Sequence, residues 1–175
     1  MRLNICLAAL AATLVASPAL AQQASVNNAT AKGTVLLPLS LSETKQLDFG
    51  TVIANTIVGN DGNVVIDAAT GARTFPAGNV VGVATYPGSR GLFQGAGTVG
   101  RSVLLTLAAP TLLTSGTNTL TVNSMTFDGC TCTSTSRTID ATGSFSVGVG
   151  GDFQIPANQP NGVYSATYSV TADYQ

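Results

Sequence analysis

Tyr164-Ser165-Ala166-Thr167-Tyr168-Ser169-Val170-Thr171-Ala172-Asp173-Tyr174 stands one residue before the last, Gln175. Tyr164, Ala166, Tyr168, Val170, Ala172 and Tyr174 share one face of an extended chain, and Ser165, Thr167, Ser169, Thr171 and Asp173 share the other. Successive side chains of a strand point to opposite faces, so this period of two predicts a strand with one face on a core. No loop follows it, so pairing alone must set its register.

Working back from that strand, the same alternation recurs and helical spacing does not. Ala29 to Leu41 reads as a first strand, with Val35, Leu37, Leu39 and Leu41 on one face. Pro38 within it points to an edge or a bulge, because proline cannot donate to a ladder. Glu43-Thr44-Lys45 reads as a polar break, and alternation resumes over Leu47 to Ile53. Val64 to Asp67 follows the turn residues Asn60-Asp61-Gly62-Asn63, and Thr70-Gly71 closes a hairpin toward Arg73-Thr74-Phe75. Further strands are expected over 79–85, 101–107, 113–127 (broken at Ser115-Gly116), 144–149 and 152–155. The one helix candidate, Ala108 to Leu113, is interrupted by Pro110. Many short strands between Gly, Asn and Pro turns predict an all-β antiparallel sandwich or barrel.

The opening residues have a different character. Met1-Arg2, an apolar run from Ile5 to Val15, and Pro18 before Ala19-Leu20-Ala21 form a secretory signal peptide. Cleavage is expected between Ala21 and Gln22, giving an exported bacterial product in the periplasm, on the outer surface or outside the cell. The run is too short for a membrane span of about 20 residues, and no later stretch offers one. The product of 154 residues (175 − 21) forms a single domain over 22–175, with a flexible extension at 22–30.

Composition narrows the function. Without Arg2 the chain has six basic residues (7 − 1) against eight acidic ones, so it carries no footprint for nucleic acid. It contains no histidine, which removes Ser-His-Asp, Cys-His and the usual general base. The seven aspartates fall mostly at turns and on polar faces, and tryptophan, the common sugar platform, is absent. Neither an enzyme, nor a cofactor, nor a metal site is expected. Gly95-Ala96-Gly97-Thr98-Val99-Gly100 fits G-x-G-x-x-G, but that motif must open a helix, and Arg101 to Leu107 reads as a strand. Cys130-Thr131-Cys132 cannot complete a tetrahedral zinc site alone. In an oxidising compartment a local disulfide, a bridge to another chain, and free thiols all remain open for the pair. Asn28-Ala29-Thr30 is a glycosylation sequon by chance.

Leu47-Asp48-Phe49-Gly50, the stretch from Phe93-Gln94-Gly95-Ala96 to Arg101-Ser102-Val103, Phe145-Ser146-Val147-Gly148, and Pro160-Asn161-Gly162-Val163-Tyr164 with the strand after it resemble the bacterial "domain of unknown function 4402" family. That resemblance covers nearly all of 29–175. A second likeness is to chaperone–usher pilins, which end with a penultimate tyrosine, alternating apolar residues and a glycine fourteen positions from the end. Tyr174 and Gly162 occupy those positions here. The two resemblances together imply an immunoglobulin-like, pilin-like sandwich. Gly162, Tyr164, Ala166, Tyr168, Val170 and Tyr174 would form its interaction strand, open to self-association or to a periplasmic chaperone by strand addition. Residues 22–30 would then be the donor, although Ala24, Val26 and Asn28 bury little. The alternative is a self-contained periplasmic or cell-surface sandwich that binds a protein or carbohydrate.

Overall fold

The computed structural model describes residues 25–175. The expected leader, the Ala21–Gln22 cleavage point and the start of the expected extension lie outside the described residues. Two units are distinguished, 1–34 and 35–175. In the first, the described residues are exposed and form no strand.

The second unit is all-β, built on a curled, open antiparallel sheet. Its strands are β1 (Ser40–Lys45), β2 (Val52–Ile53), β3 (Gly62–Ile66), β4 (Arg73–Thr74), β5 (Val81–Gly82), β6 (Gly91–Ala96), β7 (Ser102–Ala108), β8 (Leu112–Ser115), β9 (Asn118–Phe127), β10 (Ser134–Thr138), β11 (Ser144–Ile155) and β12 (Ser169–Tyr174). No helix occurs among the described residues, so the weak candidate at 108–113 is corrected: Pro110 stands in the connection between β7 and β8.

A seven-stranded sheet holds β1, β6, β11, β3 and β4 in that order, with β9 on β11 and β8 on β9. A three-stranded sheet runs β10-β7-β12, and β2 pairs with β5. The organising strand is β11. Val149 pairs with Gly91 of β6 and with Phe127 of β9, and from Gly151 onward β3 replaces β6. The two segments read separately at 144–149 and 152–155 are therefore one strand. Gly150 marks the handover, because a Cβ there would collide with backbone atoms of Ile66 and Ala68.

Side chains from both larger sheets meet in one cluster. Val103, Leu105 and Leu107 of β7 face Phe93, Phe127, Val147 and Val149 of the other sheet. A second cluster joins Val64, Val80, Leu120, Phe153 and Ile155. Each large apolar side chain so buried contributes about 1.5–3 kcal/mol, and no buried side-chain polar atom lacks a partner among the described residues.

Several strand boundaries differ from the sequence reading. The first strand starts at Ser40, not Ala29, and runs through the expected break at Glu43-Thr44-Lys45. An edge strand tolerates that polar run, since β1 pairs only with β6. The segments expected over 47–53 and 79–85 shrink to the two-residue pair β2–β5. The hairpin at Thr70-Gly71 is present as β3–β4, with Asp67 Oδ1 accepting from the Ala69 and Thr70 amides and from the Thr70 hydroxyl. The hairpin broken at Ser115-Gly116 is present as β8–β9.

Candidate functional site

The terminal stretch divides between the two sheets. Ser165 bridges to Thr114 of β8, and β12 begins only at Ser169. Tyr164 packs on the second cluster, whereas Tyr168, Val170, Ala172 and Tyr174 pack on the first. The expectation of one face from Tyr164 to Tyr174 is corrected at the crossover, where Ala166 is exposed. Gly162 lies against Ser115, and a Cβ there would stand 2.5 Å from its hydroxyl. The crossover is held by the Tyr164 hydroxyl, which donates to the Pro160 carbonyl at 2.7 Å and accepts from Gln159 Nε2 at 2.8 Å.

Within β12 the ladder has a definite phase. It pairs antiparallel with β7, and the Gln175 amide donates to the Ser102 carbonyl at 3.0 Å. Hydrogen-bonded positions alternate along an antiparallel pair, so 169, 171 and 173 bond to β7. The N–H and C=O groups of Val170, Ala172 and Tyr174 therefore point to the other edge. There β12 has no strand partner among the described residues. The same three residues turn their side chains to the core.

The strand nearest that open edge is β1, which among the described residues pairs only with β6. Side chains alone tie the two. Tyr174 Oη donates to the Leu37 carbonyl at 2.9 Å and accepts from the Thr98 amide at 2.7 Å. Tyr168 Oη donates to Glu43 Oε1 at 3.2 Å. Burial, then the charge of Glu43 and its hydrogen bond, hold the Tyr168 hydroxyl well above the ordinary tyrosine range. Leu39, Leu41 and Leu47 fill the apolar side of the seam.

Two glycines make room for these rings. A Cβ on Gly91 would lie 2.7 Å from the Tyr168 hydroxyl, and one on Gly97 would strike the Tyr174 hydroxyl and approach Leu39 at 3.1 Å. Tyr168 and Tyr174 are six residues apart, as are Gly91 and Gly97. The run that fits G-x-G-x-x-G is thus the end of β6 and a turn into β7, and no helix follows to hold a pyrophosphate.

Most of the aspartates are engaged structurally. Asp48 accepts from the Gly50 amide, Asp61 from the Ala157 amide, and Asp140 from Thr142 and the Ser144 amide. Those bonds, led by the Thr70 hydroxyl for Asp67 and the Thr142 hydroxyl for Asp140, hold both carboxyls below the usual range. Asp128 pairs with Arg137 at 2.6 Å. No group of three His, Cys, Asp or Glu that could hold a metal occurs among the described residues. Cys130 and Cys132 are joined by a disulfide, with Cα atoms 5.3 Å apart, at the tip between β9 and β10.

The family model described as "domain of unknown function (DUF4402)" matches residues 39–174. The chain belongs to this family. The DUF4402 match begins at Leu39, which packs on the first cluster, and ends at Tyr174, so it spans both sides of the seam. No curated protein and no solved structure matches the chain.

Proposed function

We propose that this DUF4402 chain is an exported structural subunit that assembles by β-strand addition at the open edge of β12. Its fold on this reading is a pilin-like, immunoglobulin-like sandwich in which β12 is an edge strand that accepts the added strand. The carrying observation is the row of backbone groups on Val170, Ala172 and Tyr174 that has no strand partner among the described residues, above a packed apolar face. An extended peptide gains main-chain hydrogen bonds at such an edge and specificity from alternate side chains. The Tyr164–Pro160 hydrogen bond supports the sandwich reading, since a tyrosine bonded a few residues upstream marks the crossover corner of Greek-key sandwiches. The leader pattern at 1–21 supports export. A periplasmic chaperone would meet the same edge before a permanent partner did.

The test is Ala172→Pro. Proline removes an N–H that points away from β7, and edge strands accept it on that side. The variant should fold as a monomer and lose detergent-resistant multimers on non-boiled gels. A variant that folds and still forms those multimers would rule out strand addition at this edge. The self-contained binding module is favoured by one observation, the closure of the seam by the Tyr168 and Tyr174 hydroxyls within a single chain. It predicts a monomer that refolds alone and ignores added strand peptides.

A further inference from the structure

The three-stranded sheet has a second edge, β10, which is furnished differently from β12. The Leu107 amide donates to the Thr133 carbonyl at 2.7 Å and the Ile139 amide to the Arg101 carbonyl at 2.9 Å. Hydrogen-bonded positions alternate along the pair, so Thr135 and Arg137 bond to β7. The N–H and C=O groups of Ser134, Ser136 and Thr138 point the other way, where β10 has no strand partner among the described residues. Two of those carbonyls are covered by side chains. Arg137 Nη1 donates to the Ser136 carbonyl at 3.1 Å, and Cys132 Sγ rests against the Ser134 carbonyl oxygen at 2.9 Å. Both covers are held in place. The Arg137 guanidinium also donates to Thr135 Oγ1, to the Asp128 carbonyl and to Asp128 Oδ1, and the Cys132 sulfur is tied to Cys130.

We infer that the Cys130–Cys132 disulfide and Arg137 guard β10 against pairing with β10 of a second copy. An exposed edge is a template for another strand, and a charge laid across it or a covered carbonyl takes ladder positions away. The bare strand suits its own copy. An apolar strand would find nothing to bury against, because the side chains of Ser134, Ser136 and Thr138 are exposed hydroxyls. Ser134-Thr135-Ser136-Arg137-Thr138 laid antiparallel about Ser136 sets Ser134 opposite Thr138, an all-hydroxyl row of the kind that pairs across strands. In that register the two Arg137 side chains become diagonal neighbours on one face, within reach for their length, and their charges repel. The guanidinium therefore blocks the pairing twice, by covering the Ser136 carbonyl and by meeting its own copy. The guard is independent of strand addition at β12.

The full chain would be expressed with its own leader and recovered from periplasm in the Ala172→Pro background, which silences the other edge. Cys130→Ser/Cys132→Ser/Arg137→Thr should then form a concentration-dependent dimer by sedimentation, where the guarded protein stays monomeric. Amide exchange locates the contact: Ser134, Ser136 and Thr138 should exchange quickly in the guarded protein and slowly in the dimer. If the triple variant lacks a cooperative urea transition, Arg137→Thr alone and Cys130→Ser/Cys132→Ser alone each lift one cover. Each should dimerise, more weakly. Folded variants that stay monomeric at every concentration, or that dimerise while those three amides still exchange quickly, would overturn the guard. So would a guarded protein that already dimerises with the three amides protected.

Discussion

Tyr174→Phe isolates the hydroxyl that ties β12 to the segment leading into β1. The ring keeps its place on the first cluster, and only two hydrogen bonds are lost, to the Leu37 carbonyl and from the Thr98 amide. A neutral hydrogen bond contributes about 0.5–1.5 kcal/mol net, and an orphaned group costs more when buried than when wet. Leu37 is largely exposed, so water takes over its carbonyl; Thr98 is half-buried and pays more. The sum is a loss of about 1–2 kcal/mol. With a urea m-value of about 1–3 kcal/mol/M, the midpoint should fall by roughly 0.3–2 M at unchanged slope. Tyr86→Phe, at an exposed ring whose hydroxyl has no partner among the described residues, is the control and should move the midpoint little. A Tyr174→Phe midpoint within error of wild type would refute the seam as a side-chain closure.

Two further expectations follow from named contacts. Arg73 donates to the carbonyls of Phe49, Thr51, Val83 and Tyr86, so Arg73→Met should cost about 2–3 kcal/mol by thermal or urea unfolding, and Arg73→Lys should not restore it, because one ammonium cannot span that fork; a loss below about 0.5 kcal/mol would contradict the clasp. Tyr168 keeps its proton in the folded state beyond the pH at which the unfolded side chain ionises, about 10. Above that pH the native state binds more protons than the unfolded state, so stability falls as pH rises. Tyr168→Phe should flatten this alkaline slope, and an identical slope in both proteins would remove the assignment.

The sequence carried the class of structure well and its edges poorly. Alternation over 101–107 and 144–149 is legible because those faces bury fully, and β7 and β11 lie there. Ala29 to Leu37 alternates too, but forms no strand, and Leu36 places an apolar residue on its otherwise polar face. Strand β6 was hidden because its inner face is Gly91, Phe93 and Gly95, and glycines there make room for rings contributed by distant residues. Strand β10, Ser134–Thr138, carries no apolar alternation at all and is recruited by pairing with β7. At the candidate site, Tyr168, Val170 and Tyr174 were legible as a packed face. The crossover at Ala166, which sends Tyr164 to another cluster, follows from the Ser165–Thr114 bridge, a contact between residues far apart in sequence.

Amide hydrogen exchange along β12, read residue by residue before and after assembly, tests strand addition most directly. In the monomer the amides of Thr171 and Asp173, bonded to β7, should exchange slowly, and those of Val170, Ala172 and Tyr174 quickly. In the assembled protein all five should be protected. Val170, Ala172 and Tyr174 amides that are already protected in the monomer, or that stay unprotected in the assembly, would contradict an open edge that receives a strand.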